Sequence, residues 1–315
     1  MRVLITGGTG LVGSRLLPQL LDRNDQVLVV TRNEQPTLPV GCTSVAGDVS
    51  SAGSWLDRLD ECDAVVHLAG ENVFARRWRT RFKQRIHDSR VNSTRLIAET
   101  LARQPRRADG SPKILVCASA VGFYGFHDRE ELDEESPAGD DFLSQVCSHW
   151  EQAARAAKDA GVRVCHLRIG FVLDDRGGGL PKLVRPFRWF MGGPVSSGEQ
   201  WVSWIHVADL VGLILFALDQ STAVGPINAT APEPLTNWGL CKTLGAVLRR
   251  PCWLRVPAFA IRLLLGQVAA VVTRGQRVIP RRALALGYSY KYPDLEPALR
   301  DLLKRPATNS TRANG

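Results

Sequence analysis

The sequence predicts an α/β protein with a Rossmann-type, doubly wound parallel sheet and a small, mostly helical C-terminal part. Within the first 30 residues it has a strand, a glycine-rich turn, an amphipathic helix and a second strand, the pattern of one strand–helix–strand crossover. Apolar runs of strand length then alternate with helical patterns as far as residue 168. This alternation favours a parallel sheet with helices on both faces. Beyond residue 170, glycine-rich loops replace it.

The first crossover contains a glycine-rich segment directly after the apolar run 3–6. Gly7 would permit the tight turn, Gly10 would let a pyrophosphate approach the backbone, and Gly13 would let the helix pack on the strand. The helix that follows offers unpaired N–H groups and the positive end of its dipole. Because strand, turn, helix and second strand follow in this order, we expect a dinucleotide site rather than an ordinary loop. The predicted contacts here are Gly7, Thr9, Gly10, Leu11, Val12 and Gly13.

The end of the second strand, residues 27–30, indicates which dinucleotide is bound. Thr31 and Arg32 stand where an acidic residue would bind the 2′-hydroxyl of NAD. An arginine at this point would pair with the 2′-phosphate instead. The sequence therefore predicts NADP (NADPH) as the cofactor, and the alternative is that Arg32 is a surface arginine in a loop.

The remaining elements can be read in order from the apolar periodicity. We predict a weak third strand at 43–46, a fourth strand at 64–70, a helix at 79–101, a fifth strand at 114–118, a helix at 142–158 and a sixth strand at 162–168. Beyond these, residues 181–191 form a basic, aromatic segment between loops, a helix runs from residue 204 to about 218, and further helices cover 236–248 and 258–272. The predicted units are an NADP-binding domain at 1–230, a small C-terminal domain at 231–304 and a polar tail at 305–315.

Composition excludes several classes of partner. The net charge is +9, from 40 Lys+Arg against 31 Asp+Glu, and arginines are concentrated in residues 76–107. Without an aromatic platform or a nucleic-acid motif, this charge indicates a solvated basic face or attraction of anionic nucleotides, and we expect no nucleic acid partner. The seven cysteines form no CxxC pair and no metal-ligand spacing, so we expect free thiols and no metal.

Two features of the chain bear on its location. The longest apolar stretch, 259–272, contains Arg262 and Gln267 and is too short to span a bilayer. The first strand follows Met1 directly, which leaves no room for a cleavable signal. We therefore expect a cytoplasmic protein that acts on a small molecule, with no membrane partner. The sequence leaves open whether it forms a homo-oligomer.

Short strings along the chain resemble those of a known family. The landmarks are the glycine segment, Leu68-Ala69-Gly70, Tyr124-Gly125, Leu167-Arg168-Ile169-Gly170 and residues 204–209. On these the chain resembles an extended short-chain dehydrogenase/reductase of the NAD-dependent epimerase/dehydratase family. More narrowly, it resembles an epimerase-like branch that carries a C-terminal domain of unknown function, which residues 275–280 and 285–288 match. The likeness covers nearly the whole chain.

The resemblance implies NADP binding by residues beyond the glycine segment. These are Thr31, Arg32, Leu68, Ala69, Gly70, Glu71, Arg90 and Phe171. A salt bridge on a helix face is an alternative role for Arg90. The substrate pocket should lie where the strand order reverses, beneath residues 186–194 and 201–206. Arg185 and Trp204 are the candidate substrate contacts, and Arg185 with Arg188 suggests an anionic substrate or simply a basic rim.

The acid that the family uses is missing. The chemistry of the wider family needs a Tyr whose pKa is lowered by a Lys four residues later, helped by a Ser or Thr. None of the four tyrosines is followed by Lys at that spacing. Counted back from Glu151, the two positions fall on Leu143 and Cys147. Ser119, Tyr124 and His149 are then the nearest catalytic candidates along the chain, with Glu71 as a further possibility.

Three functions are compatible with this gap. The first is an oxidoreductase with a rearranged acid, the second a sensor or scaffold that binds NADP(H) without turnover, and the third an isomerase or dehydratase that uses another base. We predict the first: an NADP(H)-binding, epimerase-like oxidoreductase of unknown substrate that lacks the usual YxxxK relay. The non-catalytic sensor or scaffold is the alternative. The sequence contains no nucleophile elbow, HExxH motif or P-loop ending that would favour another class.

Overall fold

A computed structural model of the protein describes residues 1–33 and 35–304. In chain order the strands are β1 Arg2–Thr6, β2 Gln26–Thr31, β3 Cys42–Ala46, β4 Ala64–His67, β5 Ile114–Ala120, β6 Glu131–Leu132, β7 Arg163–Ile169, β8 Phe171–Leu173, β9 Trp201–Val202, β10 Trp204–His206, β11 Gly225–Ala229, β12 Leu235–Thr236 and β13 Arg277–Val278. The α-helices are α1 Gly13–Asp22, α2 Thr80–Arg103, α3 Phe142–Ala153, α4 Arg155–Asp159, α5 Leu180–Arg188, α6 Val207–Asp219, α7 Asn237–Leu248, α8 Ala258–Leu265, α9 Ala270–Thr273, α10 Arg281–Ala285 and α11 Leu295–Lys304.

The central sheet has seven parallel strands in the order β11-β7-β5-β4-β1-β2-β3. The chain starts in the middle with β1, adds β2 and β3 on one side, and then crosses to β4 on the other. The strand order therefore reverses between β1 and β4. Open α/β sheets bind their ligands in the crevice outside the carboxyl ends of the strands at such a reversal, which here lies between β1 and β4. This topology confirms the predicted fold class.

Helices bury both faces of the sheet. On one face, Val3 and Ile5 of β1 pack in a cluster with α1 and α6. On the other, Leu4 packs in a cluster with α2 and α4. A parallel strand covered on both faces reads as a continuous apolar run rather than an alternating one, as residues 3–5 do. The apolar runs of the sequence therefore reflect the helices on both sides.

A third cluster forms the helical part beyond the sheet. Buried side chains of α5, α7 and α11 meet there, among them Phe187, Leu244 and Leu299. Short strand pairs connect segments that are distant in sequence: β8 with β10, β9 with β12, and β6 with β13. Because β13 pairs with β6, the C-terminal residues reach back to the loop that follows β5.

Residues 204–206 are a strand, which makes the prediction of a helix beginning at Trp204 wrong. They form β10, and Trp204 pairs with Phe171 of β8. The helix begins at Val207, where His206 acts as the N-cap and its Nδ1 accepts a hydrogen bond of 3.0 Å from the N–H of Ala208. Aromatic and β-branched residues favour the extended conformation that this pairing uses.

Other boundaries also differ from the predicted ones. The basic segment 181–191 contains all of α5 except its first residue, Leu180, and the helix forms despite Pro186 because its apolar residues bury one side. Residues 258–272 divide into α8, the 3₁₀-helix Gly266–Ala269 and α9, since Gly266 has a φ of +63°. The helix predicted at 142–158 is interrupted at Ala154. The polar tail predicted at 305–315 lies outside the described residues. Within the described ranges, no helix is both long and apolar enough to cross a bilayer.

Candidate functional site

The glycine turn after β1 is tightly wound. Gly7 has a φ of +72°, in the region that glycine adopts most readily. The N–H of Gly10 donates to the carbonyl of Gly7 at 3.0 Å. A Cβ on Gly13 would overlap the Gly7 carbonyl oxygen and lie 2.5 Å from the Cα of Gly8. Only glycine at position 13 therefore lets the start of α1 pack against the backbone of Gly7 and Gly8.

The loop after β4 lies directly against this turn. A Cβ on Gly7 would be 2.9 Å from the backbone N of Ala69 and 2.9 Å from the carbonyl carbon of Leu68. The N–H of Leu68 donates to the carbonyl of Thr6 at 3.1 Å. The structure thus brings together Gly7, Leu68 and Ala69, which were predicted as contacts from separate parts of the sequence.

A buried histidine that the sequence analysis did not single out fixes these two loops. His67 Nδ1 lies 2.6 Å from Thr6 Oγ1, and its Nε2 lies 3.0 Å from Ser93 Oγ of α2. Its complete burial, and then the charge of Arg90, lower the pKa of His67 to about 4. The imidazole is therefore neutral near pH 7 and connects β1, β4 and α2. Its place inside the apolar run 64–68 could have indicated a buried imidazole, whose ring nitrogens require hydrogen-bond partners.

Arg32 is exposed at the carboxyl end of β2, beside the crevice. The preceding residue is Thr31, whose Oγ1 accepts a hydrogen bond of 3.1 Å from the N–H of Asn33. Asp48 lies beyond the neighbouring strand β3. Hydrogen bonds from Ser50, followed by the charge of Arg32, lower the pKa of Asp48. The guanidinium of Arg32 therefore lies at the strand end where a dinucleotide fold binds the adenosine ribose.

Gly70, Glu71 and Arg90 form one cluster at the end of β4. Arg90 Nη2 donates to the carbonyl of Glu71 at 3.0 Å, and the guanidinium lies 5.1 Å from the centre of the Trp150 ring. The N–H of Glu71 donates to Ser89 Oγ at 3.1 Å. Burial lowers the pKa of Arg90. Arg90 therefore holds the backbone of the loop that flanks the crevice.

Phe171 and Leu11 both pack against the glycine-rich loop 177–179. The ring of Phe171 packs against Gly179, and a Cβ on Gly177 or Gly178 would be within 3.1 Å of the Leu11 side chain. Arg15 of α1 donates to both carboxylate oxygens of Asp174, at 2.8 and 2.9 Å. The segment 174–179 is therefore held against the start of α1.

The positions that would hold the family's Tyr and Lys face the end of β5. A Cβ on Gly122 would lie 3.4 Å from the Cβ of Leu143 and 3.9 Å from the Sγ of Cys147. Leucine has no titratable proton. Burial raises the pKa of the Cys147 thiol to about 12, so that it keeps its proton near pH 7. Neither side chain can relay a proton as a Tyr–Lys pair does.

Ser119, at the end of β5, belongs to a buried charged network. Its hydroxyl donates to Glu151 Oε1 at 2.7 Å. Arg168 of β7 donates to both oxygens of the same carboxylate, each at 2.9 Å. The sequence did not indicate that Glu151 and Arg168 form a pair. Glu151 was only a reference position for the missing Tyr and Lys, and Arg168 was only part of a family string. An arginine within the apolar strand β7 was a signal for it, because a buried arginine requires a partner.

Tyr124 lies on the other side of Arg168. Its hydroxyl donates to Asn228 Oδ1 at 2.6 Å and accepts from Arg168 Nη1 at 2.9 Å. The side chain is fully buried, and this burial raises the pKa of Tyr124 to about 12. The geometry favours a packing role for this tyrosine. His149 is exposed on α3, with its Nδ1 3.2 Å from Nε2 of His87.

The two candidate substrate contacts lie in different environments, one buried and the other exposed. Trp204 is fully buried in the third apolar cluster and donates through Nε1 to the carbonyl of Glu233 at 3.0 Å, which leaves its ring no surface for a ligand. Arg185 is exposed on α5. No group of three or more His, Cys, Asp or Glu side chains that could hold a metal ion occurs in residues 1–33 and 35–304.

Comparisons with known proteins give the family. Residues 3–229 match the family model described as the NAD dependent epimerase/dehydratase family, and residues 256–302 match a domain of unknown function, DUF1731. The chain is 42% identical over 307 residues to the epimerase family protein SDR39U1 homolog, chloroplastic, of Arabidopsis thaliana, covering 96% of this chain and 87% of that protein. It is 35% identical over 304 residues to the epimerase family protein YfhF of Bacillus subtilis, covering 96% and 98%.

A solved structure agrees with these relatives. The crystal structure of the human epimerase family protein SDR39U1 with NADPH superposes with a TM-score of 0.86 at 36% identity, covering 97% of this chain and 100% of that chain. These matches confirm the resemblance inferred from the sequence strings. The chain belongs to the NAD dependent epimerase/dehydratase family, as a member of its SDR39U1 type with the additional C-terminal domain.

Proposed function

We propose that this protein is an NADP(H)-dependent, epimerase-like oxidoreductase that acts on a small molecule. The observation that carries the proposal is the convergence of three segments at the strand reversal. The glycine turn follows β1, Arg32 follows β2, and residues 68–70 follow β4 and lie against the glycine turn. Open α/β sheets bind dinucleotides at such a point.

The start of α1 suits a pyrophosphate. Its first turn contains no acidic residue, and the side chain of the N-cap residue Val12 forms no hydrogen bond with the backbone N–H groups of the helix. Thr9 and Gly10 are exposed at the same place. Free N–H groups and the helix dipole would hold the anion, with no carboxylate in that first turn to oppose it.

Arg32 supports NADP(H) over NAD(H). Its guanidinium is exposed at the end of β2, where it can form charged, bidentate hydrogen bonds with a 2′-phosphate. The human relative, 36% identical over nearly the same length, was crystallised with NADPH. Both points favour the phosphorylated cofactor.

Bound NADPH would supply a hydride, and the protein must then manage a proton at the substrate oxygen. Ser119 and Tyr124 stay the predicted candidates for that step. Of the two, Ser119 lies at the carboxyl end of β5, with its hydroxyl oriented by Glu151. The hydroxyl of Tyr124 is fully buried and is already engaged in hydrogen bonds with Asn228 and Arg168. We therefore place Ser119 ahead of Tyr124.

A second function has its own supporting observation. Leu143 and Cys147 occupy the relay positions beside Gly122, and neither exchanges protons near pH 7. A protein that binds NADP(H) and responds to it, without turnover, needs no relay. A non-catalytic sensor or scaffold is therefore the alternative.

One experiment separates these functions. The purified full-length chain is titrated with NADPH and with NADH, and binding is followed by nucleotide fluorescence. The NADPH-loaded sample is then incubated with a panel of carbonyl and quinone compounds while NADPH oxidation is recorded. Oxidation by one compound class supports the oxidoreductase. Tight binding without oxidation supports the sensor or scaffold, and failure to bind either nucleotide contradicts both.

A further inference from the structure

Two histidines from different helices meet at the surface of the molecule. His87 of α2 and His149 of α3 are 62 residues apart in the chain, and Nε2 of the first lies 3.2 Å from Nδ1 of the second. Their ring centres are 5.4 Å apart, with the ring planes at 85°. His149 is exposed and the side chain of His87 is 30% exposed, so solvent reaches both rings. We call these two residues the histidine pair.

The separation of the two nitrogens is close to that of two imidazoles on one metal ion. Zinc binds imidazole nitrogen at about 2.0–2.1 Å in tetrahedral geometry, which places two such nitrogens about 3.3–3.4 Å apart. The two nitrogens of the histidine pair, at 3.2 Å, are close to this spacing. A hydrogen bond between two imidazoles has a similar length. The surroundings of the pair therefore decide between a hydrogen bond alone and a metal site.

Asp88 orients the ring of His87 as a metal ligand. Its Oδ1 lies 3.0 Å from His87 Nδ1, the ring nitrogen that does not face His149. A carboxylate only accepts hydrogen bonds, so the proton of a neutral His87 lies on Nδ1 and leaves Nε2 with a free lone pair. Gln84 Nε2 donates to the same carboxylate oxygen at 2.8 Å and holds it in place. Metal-binding histidines use such a carboxylate to fix their tautomer and orientation.

The two helices hold the histidine pair at a fixed spacing. Ile86 of α2 and Val146 of α3, each within one turn of its histidine, are buried in one apolar cluster. Trp150 of α3 donates through Nε1 to Thr94 Oγ1 of α2 at 2.9 Å. Because both ligands stand on packed helices, an ion would bind without the cost of ordering a loop.

The ligand type selects the class of ion. Imidazole nitrogen suits Zn²⁺, Ni²⁺ and Cu²⁺, whereas Mg²⁺ and Ca²⁺ take oxygen ligands. The spacing of the cysteines predicts no metal, and the histidine pair escapes that prediction because its members come from two helices that are distant in sequence. Only the packing of α2 on α3 brings the two nitrogens together.

We infer that the histidine pair binds one divalent transition-metal ion of the zinc class, through His87 Nε2 and His149 Nδ1. In the bound state His149 carries its proton on Nε2, and water completes the coordination. The ion would join α3 to α2, whose Arg90 holds the loop beside the crevice. The inference goes beyond the proposed function and does not depend on it.

The test uses the full-length protein, freed of metal with a chelator and kept reduced, with ZnCl₂ as the probe in isothermal titration calorimetry. Asp88→Asn should weaken zinc binding by about tenfold or more, the effect of losing an outer-shell partner. His149→Ala should weaken it further, because a ligand is lost. The matched control is His127→Ala. His127 is 31% exposed and also lies beside a carboxylate, but its other ring nitrogen faces the carbonyl of Tyr124.

The outcomes are distinct. Absence of zinc binding to the wild type would overturn the inference. Equal zinc binding by the wild type and His149→Ala would also overturn it, and would place the ion at other groups such as the free cysteines. Thermal unfolding in the presence of chelator checks that each variant is folded. The same scans with ZnCl₂ should raise the unfolding temperature of the wild type and of His127→Ala more than that of His149→Ala.

Discussion

Arg168 donates two hydrogen bonds of 2.9 Å to Glu151, one to each carboxylate oxygen. The two side chains are only 5% and 13% exposed. Ser119 donates to the same carboxylate, and Arg168 also donates to the hydroxyl of Tyr124. A single buried ion pair therefore joins Ser119 and Tyr124, two of the candidate acids that the sequence offers.

Glu151→Gln should destabilise the protein by about 3–5 kcal/mol, because it leaves the buried guanidinium of Arg168 without a counter-charge. Urea denaturation measures the change in the free energy of unfolding. The control is Glu296→Gln on α11, where the partner Arg300 is 47% exposed, and we expect a loss below about 1 kcal/mol. Losses of equal size would contradict the importance of burial here.

Tyr124→Phe should lower the free energy of unfolding by about 1–2 kcal/mol, because the buried Asn228 loses its hydrogen-bond donor. NADPH binding, and any turnover found with a carbonyl or quinone compound, should be retained, since the Tyr124 hydroxyl is fully buried and directed to Asn228. Ser119→Ala is assayed in parallel. Loss of turnover in a stably folded Tyr124→Phe would instead identify Tyr124 as the acid.

Arg32→Ala should weaken NADPH binding by about 1.5–3 kcal/mol, the contribution of a charged hydrogen bond, while NADH binding stays unchanged. Fluorescence titration with both nucleotides gives the two affinities. Arg95→Ala, on the exposed face of α2, controls for the loss of a positive charge. Equal losses for NADPH and NADH would show that Arg32 does not bind the 2′-phosphate.

Gly13→Ala should abolish nucleotide binding and destabilise the fold by about 1–3 kcal/mol or more, because the new methyl group would overlap the backbone of Gly7 and Gly8. Gly239→Ala in α7 is the matched control. Its methyl group would meet neighbours at 3.5 Å or more, and alanine is the better helix former, so stability should stay the same or rise by up to about 1 kcal/mol. Unaltered NADPH binding by Gly13→Ala would contradict the geometry of the turn.

His67 should make stability depend on pH. The pKa of His67 is about 4 in the folded protein and about 6.5 in the unfolded chain. Between these values the unfolded chain binds a proton that the folded protein does not, so the free energy of unfolding falls as the pH falls, by up to about 3 kcal/mol. His67→Gln lacks this contribution. The stability difference between wild type and variant should therefore shrink from about pH 6.5 towards pH 4, and a constant difference in urea denaturation would contradict it.

The N-terminal half of the fold follows from local sequence patterns. The apolar runs at β1, β2, β4 and β5 are bounded by small or polar residues, and each strand is buried on both faces. Strand β11 escaped prediction because Gly-Pro begins it and Asn228 interrupts its apolar pattern. Helix α11 and the strand β10 depend on packing against segments far away in the chain, and local periodicity does not contain that information.

The site was predictable where a backbone requirement fixes the residue type. Glycine at positions 7 and 13 is such a requirement. Side chains that act in pairs were harder to foresee, because their partners are distant in sequence. Thr6 meets His67 across 61 residues, and Tyr124 meets Asn228 across 104. Burial also decided the environment of Trp204 and Tyr124, which composition alone cannot distinguish from exposed aromatic residues at a pocket.

The central position of β1 has a consequence for local unfolding of the sheet. It pairs with β2 on one side and β4 on the other, so the backbone hydrogen bonds between the two halves of the sheet run through it. Fraying of β3 or β11 at the edges would leave the crevice intact. Loosening β1 would separate the two halves and move the glycine turn away from residues 68–70 at the same time. Local opening and loss of the nucleotide should therefore be one event in this protein, with amide hydrogen exchange in β1 slowing when the crevice is filled.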